Sequence, residues 1–110
     1  MSRRGMAWTD EELRIVISMY RGVLEDELAG RPVTKSDRLT AAATELSGRT
    51  VHTLIHRCCC VSEVLDRHGK AWVKGWKPSA MSGQRPASQG MVESIERNLG
   101  HLSRWPDPRA

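Results

Sequence analysis

The chain has 110 residues, a formal net charge of +4, no Phe, four Trp and one Tyr, which suits one domain with a small core and excludes two. No apolar run approaches the roughly 18 residues of a membrane span, and no apolar stretch follows the basic N-terminus, so neither a span nor a secretory signal is expected. The three cysteines are consecutive, at positions 58–60, unlike a disulfide framework, so a reduced, cytoplasmic protein is expected.

Residues 1–7, with Ser2, Arg3, Arg4 and Gly5, read as a flexible basic arm. Trp8-Thr9-Asp10-Glu11-Glu12-Leu13 opens a helix over residues 9–29: Thr9 is placed to cap it, Glu12 occupies the capping-box position, and the acids suit the helix dipole. Leu13, Val16, Ile17, Tyr20, Val23, Leu24 and Leu28 recur at helical spacing, and Gly30-Arg31-Pro32 stops the run. A second helix is expected over 36–46, capped by Ser36 and burying Leu39, Ala42, Ala43 and Leu46. Gly48 ends it and Thr50 caps a third over 50–67. Its inward stripe is Val51, Leu54, Ile55, Cys58, Val61 or Ser62, and Leu65, closed by His68 and Gly69.

Residues 71–78 alternate in polarity and predict a short extended segment, followed by a loop over 79–88. A fourth helix over 89–99 offers Met91 or Val92, Ile95 and Leu99 to the core. The tail, 104–110, carries two prolines in Trp105-Pro106-Asp107-Pro108 and reads as irregular. No internal repeat is visible. The expected architecture is all-α, a three-helix centre with a C-terminal extension and a fourth helix, as one domain over 8–103.

Charge is split along the chain. Residues 9–30 carry six acids against Arg14 and Arg21, whereas residues 31–85 carry ten bases against Asp37, Glu45, Glu63 and Asp66. A chain polarised this way presents one face to a polyanion, or else these charges are solvated faces placed for solubility.

The Trp-Thr-x-Glu-Glu opening, the Gly48-Arg49-Thr50 turn and a third helix behind it resemble Myb/SANT-type domains. Such domains often place the helix after that turn in the DNA major groove. Trp8 to Leu13, Tyr20, Glu25 to Gly30, Lys35-Ser36, Gly48-Arg49-Thr50, Val64-Leu65, Gly69 and Gly75-Trp76-Lys77-Pro78 together resemble, in their order, the N-terminal domain that precedes HNH endonuclease domains in bacterial restriction-type proteins. The resemblance implies a Myb-like helix-turn-helix used for DNA targeting or assembly. The nuclease half has no counterpart among these residues, so no cleavage is expected. Such a module suits a phage or mobile-element gene. The SANT side of the resemblance implies an alternative, a protein-interaction module such as a phage-encoded modulator of a host protein.

If the third helix reads double-stranded DNA, its outward positions are His52, Thr53, His56, Arg57 and Cys60. Arg57 is able to donate two hydrogen bonds to a guanine, and His52 and His56 to base acceptors or phosphates. Arg49 is placed either for a phosphate, aided by the helix N-terminus, or for a salt bridge to an acid of the first helix. Lys70, Lys74 and Lys77 add phosphate contacts, and Arg3 and Arg4 reach a minor groove. Trp72 and Trp76 either stack on bases or pack against the helices, packing being preferred.

No enzyme, cofactor or metal is expected. His52, His56 and Cys60 share a helical stripe, but His52 and Cys60 lie about 12 Å apart along the axis, too far to share one ion. Of the thiols, Cys58 is expected to be buried, Cys59 marginal and Cys60 the most accessible.

Overall fold

Side-chain caps decide where three of the four helices begin. The computed structural model describes residues 8–83 and 85–108. It shows α1 (Asp10–Leu28), α2 (Lys35–Glu45), α3 (Val51–Arg67), α4 (Gln89–Leu99) and a 3-10 turn (Leu102–Arg104). The fold is all-α, with no strand among the described residues. At α1, Thr9 Oγ1 accepts the Glu12 N–H at 3.1 Å and the Glu12 carboxylate accepts the Thr9 N–H at 3.1 Å, a complete capping box. Thr50 caps α3 through the Thr53 N–H at 3.1 Å, and Ser88 caps α4 through the Met91 N–H at 3.2 Å.

The start of α2 departs from expectation. The helix begins at Lys35, so Ser36 lies inside its first turn, and Thr34 at the cap position makes no side-chain cap bond. Ion pairs to α1 anchor this helix start instead: Lys35 lies 3.8 Å from Glu27, and Arg38 lies 2.6 Å from Asp26. Between α2 and α3 the chain reverses at Gly48, whose φ of +87° suits a residue without a Cβ. That reversal turns the next residue, Arg49, inward.

α1 packs against the other three helices and presents Leu13, Val16, Ile17, Tyr20, Val23 and Leu24 to the core. α3 is amphipathic only in its first half. From Cys58 to Leu65 every residue is buried, so this half is covered on all sides. Tyr20 ties the layers together: its hydroxyl lies 2.6 Å from Ser62 Oγ and accepts the Val73 N–H at 3.0 Å. Its ring meets Trp76 and Trp105 at centroid distances of 5.7 and 6.5 Å.

Two expectations about the C-terminal third are corrected here. Residues 71–78 form no strand: Val73 and Trp76 both point inward, and Trp76 N–H closes a turn onto the Val73 carbonyl at 3.0 Å. Packing around Tyr20, not strand pairing, uses the alternation. After the 3-10 turn the chain is irregular to Pro108 but belongs to the domain past residue 103. Trp105 is 3% exposed, its indole donates to the Leu99 carbonyl at 3.0 Å, and Ala71 N–H bonds the Pro106 carbonyl at 3.0 Å. Burying so large a ring and satisfying its N–H outweighs the local preference of a proline-rich tail for extended backbone. No helix among the described residues is long and apolar enough to cross a membrane.

Candidate nucleic-acid interface

The predicted reading surface is the first half of α3. His52 is exposed, while Thr53 and His56 are half-exposed. Thr53 also serves the helix start, its hydroxyl lying 2.9 Å from Thr50 Oγ1. No acidic residue occurs in the first turn of α3. An anion approaching this end meets no repulsion from the helix itself, and the dipole favours it.

Arg49 does not belong to that surface. It is 8% exposed, and its guanidinium donates twice to Glu12, Nε to Oε2 at 3.0 Å and Nη2 to Oε1 at 3.1 Å. The salt bridge to helix one is the alternative the structure adopts. The expected phosphate contact is corrected accordingly: two of the donors that would grip a phosphate are spent inside the fold.

Arg57 is only half-exposed, whereas helical geometry alone placed it outward. Its Nη1 lies 3.7 Å from Cys60 Sγ, its Nε is buried without a hydrogen-bond partner among the described residues, and its guanidinium carbon sits 4.9 Å from the centre of the Trp8 ring. Trp8 also covers Arg49, at 4.2 Å. Burial shifts the Arg57 guanidinium below its ordinary value, and the neighbouring Arg49 charge pushes the same way. It stays charged, and among the described residues no carboxylate pairs with it.

The thiols correct a further expectation. Cys58, Cys59 and Cys60 are all buried, and Cys60, expected to be the most accessible, is 0% exposed. The reason is tertiary. Ser79, from the segment before α4, lies 3.8 Å from Cys60 Sγ, while Arg57 closes the other side. Burial raises the pKa of Cys58 and Cys60, so both stay neutral thiols. Among the described residues no three potential metal ligands come together.

The charge split is largely consumed within the fold. Asp26 of α1 takes Arg31 at 2.8 Å and Arg38 at 2.6 Å, Glu27 takes Lys35, and Glu12 takes Arg49. Arg67 pairs with Glu63 and Lys70 with Asp107, each within 2.9 Å. Lys70 is thereby partly withdrawn from the expected set, whereas Lys74 and Lys77 are exposed and form no ion pair among the described residues. Arg3 and Arg4 lie outside the described residues. Of the indoles, Trp76 is buried, and Trp72 is half-buried with its N–H 3.3 Å from Asp66.

One surface went unnoticed in the sequence. Between α1 and α2 runs a groove of about 430 Å³ floored by Ile15, Met19 and Ala42 and rimmed by Glu11, Arg14 and Glu45. Ile15 and Met19 recur at i, i+4 beside the core stripe, and that second apolar spacing was the available signal. No family model, curated protein or solved structure matches the chain.

Proposed function

We propose that the chain is a non-catalytic, double-stranded-DNA-binding protein that presents the first half of α3 to the major groove. His52, His56 and Arg57 face the DNA on that half, and Lys74 and Lys77 contact the backbone. The observation that carries this reading is Arg57, a cation on the acid-free half of α3 with a buried N–H that nothing among the described residues satisfies. Lys77 stands two residues before Ser79, which bonds the Cys60 thiol that Arg57 also touches, while the Lys74 N–H bonds Glu27 at the end of α1. With Arg49 paired internally, few cations remain for phosphates, so binding is expected to be weak and only moderately salt-dependent. Fluorescence anisotropy with labelled duplex at low and moderate salt tests it. Absence of binding below roughly 100 µM in low salt removes DNA from the reading.

The groove between α1 and α2 favours a second reading, a protein-interaction module of SANT type acting on a host protein. Its floor exposes part of Ile15 and Met19 to solvent. Met19→Glu discriminates the two: it abolishes partner capture under this reading and leaves duplex binding unchanged under the first.

A further inference from the structure

Three charged side chains meet between the start of α1 and the middle of α3, and their charges do not cancel. Glu12 accepts twice from Arg49 and once from the Thr9 N–H, so its carboxylate is committed. Arg57 stands beside this pair with a thiol sulfur at 3.7 Å and an aromatic ring at 4.9 Å, and its buried Nε has no hydrogen-bond partner among the described residues. A guanidinium is shaped for two parallel bonds to an oxyanion. A ring face and a sulfur are poor replacements, and a buried donor left unmade carries its whole desolvation cost.

Trp8 is what covers it. The residue precedes the Thr9 cap and belongs to no helix, and its indole N–H makes no hydrogen bond among the described residues. The ring packs against the core and lies over the two guanidinium groups, at 4.2 and 4.9 Å. Among the described residues, no hydrogen bond of the indole opposes a shift of the ring off one arginine.

We propose that Arg57 is an oxyanion site covered by Trp8. A phosphate group enters over Arg57 and accepts from Nε and one Nη, and the indole shifts aside while keeping its contact with Arg49. The ligand chemistry is a tetrahedral phosphate, either free or as a phosphodiester of DNA. The inference deepens the DNA-binding reading and rests on it only for the source of the phosphate.

The test is a ¹H–¹⁵N NMR titration of the full chain, following the indole and arginine Nε–H signals. Phosphate is compared with chloride at matched ionic strength, and then a short duplex is added. The Trp8 indole, assigned by its loss in Trp8→Phe, and the Arg57 Nε–H shift saturably with phosphate and not with chloride. The Trp72, Trp76 and Trp105 signals stay in place. Arg57→Gln weakens phosphate binding about tenfold or more, and Arg57→Lys retains part of it. Equal shifts with chloride, or a phosphate response that survives in Arg57→Gln, overturn the proposal. Should Arg57→Gln fail to fold, Trp8→Leu decides: removing the cover tightens phosphate binding several-fold, and unchanged or weaker binding overturns it. A phosphate response without a duplex response keeps the anion site and discards DNA. Duplex binding that leaves the Arg57 signal unmoved discards the anion site and keeps DNA.

Discussion

The two halves of α3 differ sharply in burial. Its second half, residues 58–65, is buried on every side, and packing fixes it in the manner of a core strand. Its first half shows His52, Thr53, His56 and part of Arg57 to solvent. The same helix is thus a structural axle at one end and an exposed, acid-free face at the other. Position on a helical wheel does not predict exposure where other segments close over the outer side.

The largest effect should come from the paired charges that hold α3 against α1. Arg49→Ala strands the Glu12 carboxylate in the interior and should cost about 3–5 kcal/mol, read by urea denaturation. A loss below about 1 kcal/mol would mean that water reaches the pair and that Arg49 is available to a ligand after all.

Next come two substitutions that set the halves against each other. Leu65→Ala should cost about 2–5 kcal/mol, while His52→Ala should stay within roughly 0.5 kcal/mol. Comparable losses at the two sites would erase the distinction between axle and face.

The thiols probe the same boundary by rate. In the native protein Cys58, Cys59 and Cys60 should react with a mild alkylating reagent together, at the rate of unfolding. Prompt labelling of Cys60 would show that the cover formed by Arg57 and Ser79 opens readily. The raised pKa values of Cys58 and Cys60 also give a sign. Stability is fully present below the ordinary thiol value of 9.0 and falls as pH rises above it, because only the unfolded thiols ionise.

A smaller effect is expected at the α1–α2 seam. The hydrogen bond from Arg31, aided by Arg38, holds the Asp26 carboxyl below its ordinary 3.8. Its contribution is present above that value and fades as pH falls through the lower folded one. Asp26→Asn should therefore destabilise at neutral pH and lose its effect in acid, which thermal melts at the two conditions would show.

Local chemistry was legible in the sequence. Thr9, Glu12 and Thr50 cap as their spacing implies, and every helix boundary lies within one residue of its expected place. Partners were not legible. The count of acids against bases suggested a polarised surface, but Asp26, Glu27 and Glu12 spend those acids on Arg31, Arg38, Lys35 and Arg49 across the fold. Helical periodicity placed Cys60 outside because it describes one helix and contains nothing about Ser79. Trp105 escaped for a related reason: its prolines forbid regular structure, yet they do not prevent the indole from reaching the Leu99 carbonyl.

The most direct measurement is duplex affinity against salt, for the native chain and for Arg57→Gln. With Arg57, Lys74 and Lys77 as the phosphate contacts, log K should fall with log salt at a slope of about −2 to −3, and Arg57→Gln should weaken binding and flatten that slope by about one. A salt-independent affinity, or an Arg57→Gln variant indistinguishable from the native chain, would contradict the assignment of DNA to the first half of α3.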